Sequence, residues 1–266
     1  LIAPLQQLSA EPVLGVSLAN VSLLRLDLAG GNAPGNKACK LAPWLELARE
    51  RGITRLVSFG GAWSNHLHAL AAVGAEQGLQ TVGVLRGGER LTPTLEDARR
   101  WGMQLVPISR SEYRRRADAD FLADIQARFA PCMVIPEGGG GLPGARGCAE
   151  IARIIDDTAA QFEHILLAVG TGTTLAGISA VLGPDRQVTG ISALKGAVDI
   201  EDRVQSLLAE LQAGLPARWQ ILHDYHCGGF ARVPDSLKAF MLEFERLQNI
   251  ELDPVYTAKA LYAVHQ

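Results

Sequence analysis

Short apolar runs alternate with segments of helical period along this chain. "TRLVSFGG" (54–61), "QTVGVLRG" (80–87), "QLVPIS" (104–109) and "CMVIPEGG" (132–139) are rich in Val, Ile and Leu, and most close on Gly or Ser, so they are expected to form buried strands. Helical patterns lie between them over 63–78, 93–101 and 117–129. A second series follows with "HILLAVG" (164–170), "QVTGISAL" (187–194) and "QILHDY" (220–225), and "VSLLRLDL" (21–28) is expected as an extra early strand. Strands and helices in alternation predict an α/β fold, with mostly parallel sheets flanked by helices. Two such series predict two lobes. No repeat of 20–50 residues and no low-complexity linker divides the chain.

Open parallel sheets bind ligands at the carboxyl ends of their strands. The loops after Leu28, Phe59, Glu137, Val169, Leu194 and Tyr225 are therefore the places to seek chemistry. In "LLAVGTGTTLAGI" (166–178), an apolar strand runs into Gly170-Thr171-Gly172-Thr173-Thr174 and a helix follows. Backbone N–H groups at a glycine-opened helix start bind anions, and the three threonines add hydroxyl donors. With neither the lysine of a P-loop nor a GxGxxG pattern, the turn suits a single phosphate monoester. It would serve equally as a threonine-capped strand–helix junction. "SFGGAWSNHLHAL" (58–70) has the same shape: Ser64, Asn65 and His66 open a helix whose start can hold a carboxylate, and Ser64 and Asn65 can also act as plain caps. His66 and His68 are two residues apart and face different sides of a helix, a poor metal pair.

Composition narrows the function classes. The 266 residues carry a net charge of -3, with 48% hydrophobic and 20% charged residues. This is enough apolar content for a full core, with no basic surplus to attract nucleic acid or an anionic membrane. Arg114-Arg115-Arg116 is the one basic cluster and is expected on a solvated helix start. Cys39, Cys132, Cys148 and Cys227 form no CxxC pair, so they are expected as reduced thiols of a cytoplasmic protein rather than metal ligands. No stretch approaches 18 apolar residues without charge, and no signal peptide is visible at the N-terminus.

Lysine is scarce: five lysines stand in the chain, and one, Lys37, sits where the glycine-rich "GGNAPGNKACKL" (30–41) becomes a helix. A lysine accompanying a phosphate turn has a known use, forming a Schiff base with an aldehyde cofactor, and pyridoxal 5'-phosphate carries both aldehyde and monoester. Lys40, three residues on, is the rival on the same helix side.

Five segments in order, "GNKACKL", "SFGGAWSNHLHALAAVG", "IPEGGGG", "GTGTTLAG" and "LDPVYTAKAL", resemble the fold type II pyridoxal-phosphate enzymes of the 1-aminocyclopropane-1-carboxylate deaminase and D-cysteine desulfhydrase group. The resemblance runs from about residue 20 to the chain end. It implies a large cofactor lobe, 1–41 with 156–266, and a smaller inserted lobe, 42–155. It implies Lys37 as the Schiff-base lysine, Asn65 at the cofactor's phenolic oxygen, and Ser64 near the substrate carboxylate with Asn65 and His66 beside it. It also implies Gly170, Thr171, Gly172, Thr173 and Thr174 at the phosphate, Tyr256 near the substrate, and Thr257 facing the pyridine nitrogen.

Thr257 discriminates within the group. The deaminase pattern there is "VYE", whereas "VYT" is similar to the desulfhydrases. A carboxylate keeps the pyridine nitrogen protonated and strengthens the electron sink, while a hydroxyl leaves it largely neutral. The expectation is therefore a small amino acid as substrate and α,β-elimination giving pyruvate, ammonia and a leaving group such as sulfide. Aminocyclopropane-carboxylate deamination is the first alternative and a non-catalytic cofactor-binding protein the second. The family's lining tyrosine in "YG[LV]P" is missing from "CGGFARVP" (227–234), and the chain stops at "LYAVHQ", inside an expected helix, where relatives continue. No metal is expected, and relatives are commonly homodimers.

Overall fold

The computed structural model describes residues 3–29, 33, 35–87, 91–158 and 162–266. The chain divides into two compact units, 30–148 and the pair of segments 1–29 with 149–266, and it passes between them within one helix. The lobe limits drawn from sequence are 42 and 155; Leu41, just before the first of them, packs into the same core as Leu45, Leu56, Leu67 and Leu70.

The 30–148 unit holds helix α1 (Asn36–Glu50) and then strands β3 (Arg55–Gly60), β4 (Gln80–Arg86), β5 (Gln104–Ile108) and β6 (Met133–Ile135); β1 (Leu5–Gln7) and β2 (Ser22–Leu24) belong to the other unit. The strands pair in parallel in the order β5-β4-β3-β6. Helices α2 (Asn65–Gln77), α3 (Pro93–Arg100), α4 (Arg110–Arg114) and α5 (Ala119–Phe129) connect them, and α6 (Gly141–Asp156) follows β6. Both faces of the sheet are covered. Along β3, Leu56 joins the core of α1 and α2, while Val57 and Phe59 join Val82, Val84, Phe121 and Ile125 on the other side. This is the two-residue period of a strand buried on both faces. From β3 the chain moves to β4 on one side and returns to β6 on the other, so the order reverses at the carboxyl ends of β3 and β6. Such a switch point is where open α/β sheets open a crevice.

The second unit has β1 (Leu5–Gln7) antiparallel to β2 (Ser22–Leu24), and a parallel sheet of β7 (His164–Val169), β8 (Gln187–Ser192) and β9 (Arg218–Leu222) in that order. Helices α7 (Thr173–Val181), α8 (Ile200–Glu210), α9 (Asp235–Gln248) and α10 (Thr257–His265) complete it. Phe240, Phe244, Leu237, Leu252 and Leu261 form a core with Leu8, Val13 and Leu18.

Three sequence expectations change. The early strand shrinks from 21–28 to 22–24, because residues 26–28 turn into a 3-10 helix. The strand expected at 220–225 lies at 218–222, set by its register on β8. The arginine cluster sits at the end of a helix rather than its start: Ser109 and Glu112 form a capping box that begins α4 four residues before Arg114. Cations at a helix C-terminus meet the negative end of its dipole. There Arg116 pairs with Glu137 at 2.6 Å and lies over the Tyr113 ring, and Arg115 pairs with Asp120.

Candidate active site

In the 30–148 unit, Lys37 stands in the first turn of α1, half-buried, with Nζ donating to Asn36 Oδ1 at 2.7 Å. Most of the glycine-rich approach to it, residues 30–32 and 34, lies outside the described residues. The rival Lys40 is buried at 5% exposure, and burial lowers its pKa. Its stem packs beside the turn after β6, where a Cβ added at Gly139 would lie 3.2 Å from Lys40 Cβ.

Helix α2 starts beyond the end of β3, and Ser64 is its N-cap, with Oγ accepting from Leu67 N–H at 3.2 Å. Asn65 is exposed in the first turn, and His66 turns inward to 3% exposure. The His66 pKa is pushed down to about 3, first by burial and then by the charges of Lys37 and Lys40. His66 Nε2 is 2.8 Å from Ser58 Oγ, and Ser58 Oγ donates to Ile135 O at 2.8 Å. Since the serine proton goes to that carbonyl, His66 Nε2 carries the imidazole proton and donates it to Ser58. Nδ1 is then the lone-pair atom, buried and without a hydrogen-bond donor. The Ser58–His66–Ile135 chain crosses from β3 to β6 at the switch point. Sequence reasoning missed Ser58; the signal was a hydroxyl inside the apolar run "LVSFG". His68 turns outward, with Nε2 at 3.4 Å from Asp97 Oδ2 and its ring edge-on to Trp101. Among the described residues no cluster of His, Cys, Asp and Glu is suited to a metal, and all four cysteines are free thiols.

In the other unit, the Gly170–Thr174 turn joins β7 to α7. Thr171 Oγ1 and Thr173 Oγ1 are 3.0 Å apart, and Thr173 and Thr174 are buried. Gly172, the N-cap, has φ +80°, and a Cβ there would fall 2.7 Å from Val204 Cγ2 and 3.2 Å from Ile200 Cγ2. Only glycine fits both the dihedral and the space. Tyr256 lies across the first glycine of the turn: a Cβ at Gly170 would be 3.3 Å from Tyr256 Cε1 and 3.5 Å from its Oη. Asp253 Oδ1 fixes the approach to α10 by accepting from Val255 N at 2.9 Å and Tyr256 N at 2.7 Å. Thr257 stands apart. It is exposed, and its Oγ1 accepts from Asp253 N–H at 3.0 Å and lies 3.3 Å from Asp253 O. This unit thus brings Gly170–Thr174 and Tyr256 together and turns the Thr257 hydroxyl to its own loop.

A family described as pyridoxal-phosphate dependent enzyme matches residues 17–266. The chain belongs to this family. A Thermotoga maritima protein provisionally named 1-aminocyclopropane-1-carboxylate deaminase is 33% identical over 258 residues, covering 91% of this chain and 81% of that protein. The D-cysteine desulfhydrase of Klebsiella pneumoniae is 29% identical over 244 residues, covering 85% of this chain and 74% of that enzyme. The crystal structure of an ACC deaminase homologue superposes with a TM-score of 0.85 at 25% identity, over 98% of this chain and 83% of that one. The chain is thus a fold type II pyridoxal-phosphate enzyme related to the aminocyclopropane-carboxylate deaminase and D-cysteine desulfhydrase group.

The residues present suit pyridoxal phosphate. The turn at 170–174 offers main-chain N–H groups and hydroxyls at the start of α7, a neutral donor set that does not repel a dianion. Lys37 supplies a primary amine at the mouth of α1.

Proposed function

We propose that this enzyme carries out α,β-elimination on a small amino acid, in the manner of a D-cysteine desulfhydrase, and releases pyruvate, ammonia and a leaving group such as sulfide. In this reading Lys37 is the residue that the cofactor aldehyde joins, Asn65 meets its phenolic oxygen, and Gly170 through Thr174 hold its phosphate. When bound, the cofactor supplies the electron sink that accepts the pair left on Cα as its proton departs. Lys37 Nζ would be the base that takes that proton. The Cβ–leaving-group bond breaks with its electrons on the leaving atom, a Cα–Cβ double bond forms, and water then releases pyruvate and ammonia. Ser64, Asn65 and His66 orient the substrate carboxylate at the start of α2. Tyr256 Oη lines the substrate side and hands a proton to the leaving group.

The observation that carries the choice of reaction is Thr257. The residue after Tyr256 is a neutral hydroxyl engaged with the Asp253 backbone, and it cannot hold a proton on the pyridine nitrogen as a carboxylate does. A weaker sink favours substrates whose β-substituent leaves readily, such as a thiol or chloride. Aminocyclopropane-carboxylate deamination is the second reading, favoured by the names of the Thermotoga relative and the superposed structure. A screen of D- and L-amino acids for keto-acid release tests both. Pyruvate from D-cysteine or β-chloro-D-alanine is expected, and faster release of 2-oxobutanoate from aminocyclopropane carboxylate would reverse the order.

A further inference from the structure

Lys259 lies in the first turn of α10, is fully buried, and has no place in the chemistry above. Its Nζ donates to Gly229 O at 2.7 Å and lies 3.5 Å from Ala193 O. Both partners are main-chain carbonyls. The amine is thus held at the end of its four-carbon stem between two carbonyl oxygens, with no carboxylate among its hydrogen-bond partners in the described residues.

The two carbonyls come from two separate segments, the exit of β8 and the turn around Gly229. Ala193 follows the last residue of β8, and its N–H donates to Val169 O at 3.0 Å, one residue before Gly170. Gly229 lies in a turn where φ is positive at Cys227 (54°), Gly228 (89°), Gly229 (121°) and Ala231 (55°). Non-glycine residues in that region are strained and persist only where surrounding contacts over-determine them. The next residue, Phe230, places its ring edge-on to Tyr256 at 6.2 Å between centroids, and Tyr256 lies across Gly170. Two contact routes therefore run from the ammonium to the glycine that opens the 170–174 turn, one through Ala193 and Val169 and the other through Gly229, Phe230 and Tyr256.

We propose that Lys259 is a positioning residue, a tethered cation that clamps the 227–231 turn and the exit of β8 onto α10, and that a small ammonium ion takes its place when the side chain is cut away. The consequence for the cofactor rests on the functional reading above; the clamp itself does not. The test therefore has one readout for each. Arg232 is exposed directly after the clamped turn, so trypsin cleavage after it, followed on the folded protein without cofactor, reports the clamp alone. Lys259→Ala should be cut faster by on the order of 10- to 100-fold, the range expected for loss of a charge-assisted hydrogen bond. Ammonium or methylammonium chloride should slow the cleavage again, and choline chloride at equal ionic strength should not. Lys259→Met keeps the stem and fills the space, so it should be cut fast whether or not ammonium is present. It also serves if the alanine variant does not accumulate as folded protein. A spectroscopic titration with pyridoxal phosphate should then show weakened binding by both variants, restored by ammonium for alanine only. Cleavage of Lys259→Met at the wild-type rate, or a Lys259→Ala response to choline equal to that to ammonium, would overturn the clamp. Ammonium-dependent cleavage with unchanged cofactor affinity would leave the clamp standing and remove its link to the cofactor turn.

Discussion

Substituting Gly147 by Ala is the sharpest test of how α1 is held. Gly147 lies in α6, and a Cβ there would sit 1.9 Å from Cys39 O, 2.9 Å from Cys39 C and 3.0 Å from Pro43 Cδ. The contact has a local cause. Pro43, inside α1, has no N–H to donate to Cys39 O four residues earlier, so the helix turns a carbonyl outward where α6 crosses it. Reaching ordinary contact at 3.4 Å from 1.9 Å requires about 1.5 Å of separation, and the obstacle is backbone, which no rotamer change relieves. Overpacking costs ~1–3 kcal/mol and more when the backbone must move, against a gain of ~1 kcal/mol from alanine's helix propensity. The net loss should be about 2 kcal/mol or more. Urea unfolding followed by tryptophan fluorescence suits the measurement, since Trp44, Trp63 and Trp101 all lie in the 30–148 unit. The midpoint should fall by roughly 0.5–1 M, and because Lys37 stands two residues before Cys39, the visible absorbance of the lysine-bound cofactor should weaken with it. Gly214→Ala is the control, with no atom within 4 Å of the added Cβ, and should stay within ~0.5 kcal/mol of wild type. A Gly147→Ala protein as stable as wild type would refute the packing argument.

Two further outcomes are expected. His66 stays neutral in the folded state down to about pH 3, whereas the unfolded chain takes the proton near pH ~6.5; the unfolded state therefore binds more protons as pH falls between these values, and stability drops by up to ~1.4 kcal/mol per pH unit. Urea midpoints between pH 7 and 5 should fall more steeply for wild type than for His66→Gln, and parallel slopes would contradict this. Replacing Thr173 and Thr174 together by Ala should weaken cofactor binding by on the order of 3–6 kcal/mol before relaxation, the worth of two charge-assisted hydrogen bonds, and unchanged retention on dialysis would remove the phosphate role.

The parallel strands were legible because their apolar runs are continuous and closed by small residues, as strands buried on both faces require. The strand–glycine–helix turns at 60–66 and 169–174 were legible for a related reason: backbone that must turn sharply into a helix start admits few residue types. What escaped depends on partners distant in sequence. β1 exists through its pairing with β2 across the stretch between them. Lys40 and Lys259 are buried by contacts with the turns at 139 and 229, which no local pattern announces. The Ser58–His66 pair needs β6 alongside to supply the carbonyl that fixes the proton. The contacts of Thr257, which the resemblance assigns to the pyridine nitrogen, also needed the structure: its hydroxyl meets the Asp253 backbone in the turn that starts α10.

The central claim is that Lys37 is the residue the cofactor joins, and borohydride reduction of the pyridoxal-phosphate-loaded protein followed by peptide mapping tests it directly. Reduction fixes the cofactor to whichever amine carries it. The label should fall on the peptide containing Lys37, and Lys37→Ala should abolish both the label and the visible absorbance. Label on Lys40, Lys195 or Lys259 in the wild-type protein, or absorbance undiminished in Lys37→Ala, would contradict the account.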